Sequence, residues 1–300
     1  MASDRLTADL AFIGHVSFQE IAPFMGTASV APGSAVLRGA MAAARIGADV
    51  AVVTRMDPRD DRILASLRQV GIAVHVVPAR VTTYMRVVHR RADVDDREMY
   101  QLANAGGFSS SEIPDLDVQQ VHLAGITDQE FSLDFVHGMK SLGYRLSADM
   151  QGFLRQVDRT TRRISFADVP DTAAIIALLD MVKLDVAEAR ILTGTDNLEQ
   201  AALRFEKWGC PETLITGATG VLARVRGKTY WEPFTNRSEI GRAGRGDATF
   251  AAYITRRIDH YPEESLRFAA ALASIKIEKT RPFDVIPTDV MGRMNMKAAS

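Results

Sequence analysis

Residues 240–254 combine three glycines with an acidic residue just before an apolar stretch. Gly241, Gly244 and Gly246 precede Asp247 and a helix-like run. Glycine lets the backbone approach a ligand closely and adopt positive φ, and a helix start offers free N–H groups and the positive end of the helix dipole. The pattern predicts a phosphate-binding site at the start of the helix, which we call the phosphate seat. A carboxylate beside such a seat repels an anion, so Asp247 is better suited to accept a proton from an attacking hydroxyl.

Two simpler interpretations of this segment stay open at this point. Asp247 can be only a helix N-cap, with the glycines forming only a turn. The tripeptide Arg245-Gly246-Asp247 also has the composition of an adhesion motif. It leads directly into the predicted helix, however, and this placement argues against an adhesion function.

Two other nucleotide-binding motifs fail on spacing. Gly227-Lys228-Thr229 nearly matches the end of the phosphate-binding loop G-x-x-x-x-G-K-[ST], but the required earlier glycine is Leu222 and the segment is typical of a hairpin turn. The dinucleotide fingerprint G-x-G-x-x-G is absent after the first predicted strand, where only Gly14 occurs. The spacing therefore argues against a P-loop enzyme and against a dinucleotide-dependent oxidoreductase.

Strands and helices alternate along most of the chain. The predicted strands are residues 10–14, 50–54, 72–77, 118–124, 144–148, 181–184 and 213–215. The predicted helices are residues 35–46, 57–71, 128–143 and 173–179, a helix that carries Glu188 and ends near Gly194, one over 198–208, one from Asp247 and one after Pro262. Such alternation predicts a three-layer α/β/α fold with a mostly parallel central sheet. Ligands of these sheets bind outside the carboxyl ends of the strands.

Residues 81–105 break this alternation. Residues 81–91 are β-branched, aromatic and basic, a polar turn follows, and a second run leads to residue 105. This texture predicts an antiparallel hairpin with an exposed face, inserted into the α/β pattern as a candidate lid.

Bulk composition excludes several classes of function. The chain has 36 basic and 37 acidic residues and a formal net charge of -1, so no global field favours nucleic acid or an acidic membrane. Its one cysteine, Cys210, cannot form an internal disulfide, is expected in the core and fits a reducing compartment. The N-terminal residues lack the apolar region of a secretory signal, and no run approaches the ~18 apolar residues of a membrane helix. We expect a cytoplasmic protein.

The ordered motifs resemble those of the PfkB, or ribokinase-like, carbohydrate kinase family. Residues 241–247 are similar to its C-terminal signature D-T-T-G-A-G-D and match it in the final glycine-x-glycine-aspartate. Residues 181–188 are similar to its K-x-N-x-x-E stretch, with Asp185 in place of asparagine. Residues 214–220 are similar to the family's nucleotide-side strand and loop, matching at Gly217 and Gly220.

Two further segments extend this resemblance over most of the chain. Gly33, the helix at 35–46 and Gly47 are similar to the family's N-terminal signature. Residues 148–155 are similar to a D-x-Q-G-F-L-R stretch of some members. The resemblance implies one kinase domain over residues 1–300, with a β-strand lid from about 15–32 and 78–106. Open strand edges in that lid favour a homodimer through the lid, the alternative being a monomer whose lid folds onto its own site.

The resemblance also implies the chemistry and the site. It implies in-line phosphoryl transfer from ATP, assisted by Mg²⁺, to a hydroxyl of a small-molecule sugar, polyol or nucleoside. It places Gly244, Arg245, Gly246 and the base Asp247 near the transferring phosphoryl group, and Lys183, Gly217, Gly220 and Arg155 near the donor. It places Gln19, Gly33, Arg38 and Asp149 near the substrate, and Asp185 and Glu188 near the metal. The alternatives are a solvated helix face for Glu188, a solvent-facing or acid-paired Arg245, and structural roles for Asp149 and Arg155, which are both expected to end the 144–148 strand.

Departures from the family pattern concern the acceptor. Gln19 stands where the family usually has an aspartate that binds substrate hydroxyls, and Arg38 is the nearest polar candidate for the family's asparagine. Gly241 and Ala243 replace oxygen-bearing residues of the signature. These changes favour an unusual acceptor, such as a cyclitol or a nucleoside, over a common hexose. A non-catalytic nucleotide or sugar sensor on the same fold is the second hypothesis.

Overall fold

The structure is a computed structural model that describes residues 5–91, 97–238, 244–279 and 286–296. Gly241 and Ala243 of the glycine-rich segment lie outside these residues. The described strands are β1 (Leu6–Thr7), β2 (Leu10–Ile13), β3 (Ser17–Ala22), β4 (Ser29–Pro32), β5 (Val50–Met56), β6 (Ala73–Pro78), β7 (Thr83–His89), β8 (Arg97–Ala103), β9 (Leu116–Asp117), β10 (Gln120–Leu123), β11 (Leu146–Asp149), β12 (Arg155–Val157), β13 (Ile164–Phe166), β14 (Met181–Asp185), β15 (Glu212–Thr216), β16 (Gly220–Val225) and β17 (Lys228–Pro233).

Helices separate most of the parallel strands. They are α1 (Ala35–Arg45), α2 (Ala65–Gln69), α3 (Leu133–Ser141), α4 (Gln151–Leu154), α5 (Thr172–Leu178), α6 (Val186–Thr193), α7 (Leu198–Lys207), α8 (Arg245–Arg256), α9 (Pro262–Ile277) and α10 (Pro287–Met296), with 3₁₀ helices at Pro58–Leu64 and Ser110–Glu112. Within the described ranges, no helix is both long enough and apolar enough to cross a bilayer.

Nine of the described strands form the central sheet. Their order is β17-β16-β15-β14-β11-β10-β2-β5-β6. Neighbours from β15 to β6 pair in parallel, whereas β15–β16 and β16–β17 are antiparallel. Strands β2, β10, β11 and β15 are buried at every residue because helices cover both faces of a parallel sheet. The predicted mostly parallel α/β sheet is confirmed.

Helices cover both faces of this sheet. Along β2, Leu10 and Phe12 join a core with α1, α8 and α9, whereas Ala11 and Ile13 join a second core with α3, α5 and α7. This division follows from the strand period of two residues, which sends successive side chains to opposite faces. Cys210 is buried in the second core, as the sequence predicts.

A separate four-stranded sheet has the order β4-β3-β7-β8. The pairing of β7 with β8 is antiparallel, which confirms the hairpin predicted for residues 81–105, and β3 inserts beside β7 in parallel. Met85, Val87 and Met99 of this sheet pack against Ile126 and Val157. We call it the second sheet.

Two local predictions are wrong. Asp128 does not begin a helix: Ser132 caps α3 by accepting the Phe135 N–H at 3.1 Å, while Asp128 accepts the Val157 N–H at 3.3 Å. Arg155 does not end the strand that carries Asp149. The short helix α4 intervenes, and Arg155 begins β12. Serine and aspartate cap equally well, so the sequence alone offers two possible helix starts four residues apart.

Candidate active site

The candidate site lies where three parallel strands end against the start of α8. Asp149, Asp185 and Thr216 are the last residues of β11, β14 and β15. Gly244 caps α8 with a φ of +75°. A Cβ placed on Gly246 would lie 3.1 Å from Lys183 Nζ and 3.8 Å from Thr216 Oγ1. The helix start therefore stands directly over these strand ends, as expected for an α/β ligand site.

Asp247 lies in the first turn of α8 and is held from α1. Its Oδ2 accepts a hydrogen bond from Arg38 Nε at 2.7 Å. Burial raises the pKa of Asp247, but the nearby cations Arg38, Lys183 and Arg155 outweigh burial and hold that pKa below its usual value. The carboxylate is thus ionised at neutral pH, as a proton acceptor must be.

Lys183 forms a buried ion pair beneath the start of α8. Its Nζ lies 2.8 Å from Asp149 Oδ2, and both side chains are almost fully buried. Burial disfavours the ammonium, but the carboxylates of Asp149, Glu188 and Asp247 outweigh it and raise the pKa of Lys183. A permanent positive charge therefore lies directly under the proposed phosphate seat.

Asp185 and Glu188 form a reciprocal cap at the start of α6. Asp185 Oδ1 accepts the Glu188 N–H at 2.8 Å, and Glu188 Oε2 accepts the Asp185 N–H at 2.9 Å. Glu188 is buried, so a solvated helix face is the wrong description of it. Burial and the neighbouring Asp185 raise the pKa of Glu188 to about 8. Each carboxylate keeps one oxygen outside the cap.

The two carboxylate oxygens outside the cap are possible ligands of Mg²⁺. Within the described residues, no group of three or more His, Cys, Asp or Glu side chains could hold a metal ion. Mg²⁺ commonly takes only one or two carboxylates and completes its shell with water and substrate phosphates. The pair therefore fits an ion that arrives with a phosphate donor, and it does not fit a closed protein cage.

On the acceptor side, Gln19 and Gly33 lie beside the start of α1. A Cβ on Gly33 would lie 2.5 Å from Gln19 Oε1, so the amide rests directly on the glycine backbone. The Ser17 hydroxyl donates to the Gly33 carbonyl, and the Gly33 N–H donates to the Ser17 carbonyl at 2.9 Å. Ser34 caps α1, which places Arg38 one turn farther along that helix.

Two arginines flank the strand ends. The Arg245 guanidinium lies 5.6 Å from the centre of the Phe234 ring. Arg155 lies 5.6 Å from the centre of the Phe166 ring. Its Nε is buried without a hydrogen-bond partner in the part of the chain described. Its positive charge also helps to hold the pKa of Asp247 below its usual value.

Thr216 and Lys276 also lie near the start of α8, although no motif in the sequence pointed to them. Lys276 is buried on α9. Burial and the positive charge of Arg38 lower its pKa, although the negative charge of Asp247 acts in the opposite direction. The available signal was a lone lysine inside the apolar run 268–277. A charged residue on an otherwise buried helix face generally needs a partner or a ligand.

Gly217 and Gly220 differ in how much space surrounds them for a side chain. A Cβ on Gly220 would lie 2.5 Å from the Glu232 carbonyl oxygen and 2.9 Å from Pro233 Cα, both backbone atoms of β17. At Gly217 the nearest atom, the Gly220 carbonyl oxygen, would be 3.4 Å away. Gly220 therefore keeps β16 and β17 in register, whatever its contact with a donor.

We expect Gly220→Ala to lower the free energy of unfolding by about 1–3 kcal/mol, because the added methyl group overpacks the β16–β17 pair. Gly217→Ala is the matched control and should be close to neutral in stability. Urea denaturation of both variants measures the difference. Equal stability of the two variants would contradict the strand-packing role of Gly220.

Comparisons with known proteins agree on one family. A family model described as pfkB family carbohydrate kinase matches residues 39–289. A cytidine kinase of Thermococcus kodakarensis is 26% identical over 257 residues, covering 82% of this chain and 87% of that protein. A pyrophosphate-dependent kinase in the ribokinase family, solved with a pyrophosphate analog and myo-inositol, is 28% identical with a TM-score of 0.83, covering 94% of this chain and 99% of its own. Ribokinase of Arabidopsis thaliana, complexed with ribose and ATP, is 17% identical with a TM-score of 0.75 over 96% of this chain and 99% of its own, and it shares the fold.

Proposed function

Because the chain belongs to the pfkB family of carbohydrate kinases, we propose that it transfers a terminal phosphoryl group to a hydroxyl of a cyclitol, sugar or nucleoside, with Asp247 as the base. The observation that carries this proposal is the largely buried, ionised Asp247 in the first turn of α8, 2.7 Å from Arg38. A non-catalytic sensor has no need for an ionised carboxylate at a phosphate seat.

In this mechanism the acceptor hydroxyl attacks the terminal phosphorus of the donor in line with the leaving oxygen. The hydroxyl proton passes to Asp247, a new oxygen–phosphorus bond forms, and the anhydride bond breaks with its electron pair on the leaving oxygen. The backbone N–H groups from Gly244 to Asp247 would stabilise charge on the phosphoryl oxygens. Lys183 adds positive charge beneath them.

Asp185 and Glu188 would hold Mg²⁺ through their free oxygens. Bound there, the ion would neutralise charge on the donor phosphates. Gln19, Gly33 and Arg38 would face the acceptor, because they border the start of α1 next to Asp247.

Two donors suit the site. ATP is the first candidate, because Phe234 offers a flat apolar ring next to Arg245 at the start of α8, with Gly217 and Gly220 on the neighbouring turn. Pyrophosphate is the second, because one similar solved structure is a pyrophosphate-dependent kinase. Pyrophosphate needs only cations, which Lys183, Arg155 and Arg245 supply.

A donor and acceptor matrix tests the proposal. Purified protein with Mg²⁺ is incubated with ATP or pyrophosphate against myo-inositol, cytidine and ribose, and the phosphorylated product is identified by mass spectrometry. We expect one donor to support transfer to one acceptor class. Nucleotide or sugar binding without transfer in every combination would favour the sensor instead.

We further propose that residues 15–32 and 78–106 act as a lid and that two lids pair in a homodimer. The second sheet exposes Ile21, Val30 and Leu102 on its strands and Phe24 on a loop. Its edge strand β4 pairs with β3 on one side and offers its other edge to a second chain, whereas β8 is bridged through Tyr100 to Arg163.

We expect light scattering to give a dimer mass for the wild type. Val30→Lys, at the exposed edge, should shift the protein toward monomer because it places a charge in the contact. A monomeric wild type would contradict the pairing.

A further inference from the structure

Arg38 reaches the proposed base from a distant part of the chain. It lies on the second turn of α1, and its Nε is 2.7 Å from Asp247 Oδ2. The side chain is 36% exposed, whereas that of Asp247 is 10% exposed. One edge of the guanidinium is thus held by the carboxylate while part of the group remains open to solvent.

The path of the Arg38 side chain depends on Gly244. A Cβ on Gly244 would lie 2.6 Å from Arg38 Cδ. The arginine stem therefore crosses directly over the capping residue of α8, where any larger residue would displace it. The guanidinium group of Arg38 therefore lies at the start of α8, next to the backbone N–H groups of the first turn of that helix.

Arg38 differs from the other charged groups around Asp247 in how it is engaged. The titratable and charged groups that act on Asp247, or on which it acts, come from several elements: Arg38 on α1, His122 on β10, Asp149 on β11, Arg155 on β12, Lys183 on β14 and Lys276 on α9. Lys183 is almost fully buried and already paired with Asp149. Arg38 is partly exposed and contacts the base itself.

We infer that Arg38 is a catalytic residue: its Nε orients Asp247, and its remaining N–H groups bind the phosphoryl group as it passes to the acceptor oxygen. This inference rests on the proposed function. The planar guanidinium carries five N–H donors in a fixed fork, so it can hold a carboxylate on one edge and phosphoryl oxygens on another. An ammonium group cannot keep both contacts in one plane.

Arg38→Met and Arg38→Lys test the inference on the donor and acceptor pair found active. We expect Arg38→Met to lower kcat by about 10²-fold or more, the usual cost of one preorganised donor to developing charge. Arg38→Lys should give an intermediate kcat, because the charge returns without the fork. Arg45→Met is the matched control, an exposed arginine on the same helix, and it should leave kcat unchanged.

The pH profile gives a reading that a merely structural role would not change. Arg38 lowers the pKa of Asp247, so its removal raises that pKa and protonates the base at higher pH. The acid limb of kcat/KM should therefore move to higher pH in Arg38→Met, and Arg45→Met should keep the wild-type limb.

The outcomes separate this inference from the proposed function. An inactive wild type with every donor and acceptor overturns both. An active wild type, with Arg38→Met equal to it in kcat and in the acid limb, overturns the catalytic role alone. A rise in acceptor KM at unchanged kcat also overturns it, because Arg38 would then only bind substrate. If Arg38→Met does not fold, Arg38→Lys decides by the same two readings.

Discussion

Asp247→Asn is expected to lower kcat by about 10²–10⁴-fold while donor binding is retained or slightly tightened. Asparagine keeps the shape of the side chain, and its carbonyl oxygen can still accept the hydrogen bond from Arg38 Nε. It cannot take the proton of the acceptor hydroxyl. Loss of the negative charge also removes repulsion of the donor phosphates. Steady-state rates give kcat, and calorimetric titration gives the donor affinity.

Asp134→Asn is the matched control for this change. Asp134 is also an aspartate in the first turn of a helix, but it is exposed and lies on α3, outside the site. Its replacement should leave kcat unchanged and cost at most about 1 kcal/mol of stability through the helix dipole. Full turnover by Asp247→Asn would show that Asp247 is only an N-terminal helix residue.

Lys183→Met is expected to lower the free energy of unfolding by about 3–5 kcal/mol. The ammonium group is the direct partner of Asp149 at 2.8 Å, and it also interacts with the carboxylates of Glu188 and Asp247. Removing one member of a buried ion pair leaves the other charge unpaired in a region of low dielectric constant. Urea denaturation at neutral pH, extrapolated to water, measures the loss.

Two variants test the cause of that loss. Lys140 also pairs with an aspartate, Asp180, at 2.6 Å, but its side chain is 37% exposed. Lys140→Met should therefore cost at most about 1 kcal/mol, because water screens the pair. The double variant Lys183→Met/Asp149→Leu should recover much of the stability, since no buried charge is left without its partner. A loss in Lys183→Met no larger than in Lys140→Met would contradict the buried-pair argument.

Local sequence patterns were enough to predict the class of the fold and to propose where the site lies. Apolar runs of strand length alternate with helical periods, and this local periodicity predicts a parallel sheet with helices on both faces. The Gly244-x-Gly246-Asp247 pattern before an apolar helix is likewise local, so a phosphate seat at the start of α8 could be proposed without coordinates. The β7–β8 hairpin was predictable because its two strands are close in sequence.

Which side chains meet follows only from the packing of whole elements. Arg38 and Asp247 are separated by 209 positions, and Asp149 and Lys183 by 34. Local propensity carries no information about such pairs, since they form only when whole elements pack in one register. The same holds for the burial of Glu188 in a reciprocal cap and for the contact of Gly220 with β17. Packing brings residues that the sequence offered only as separate candidates into one charged cluster around Asp247.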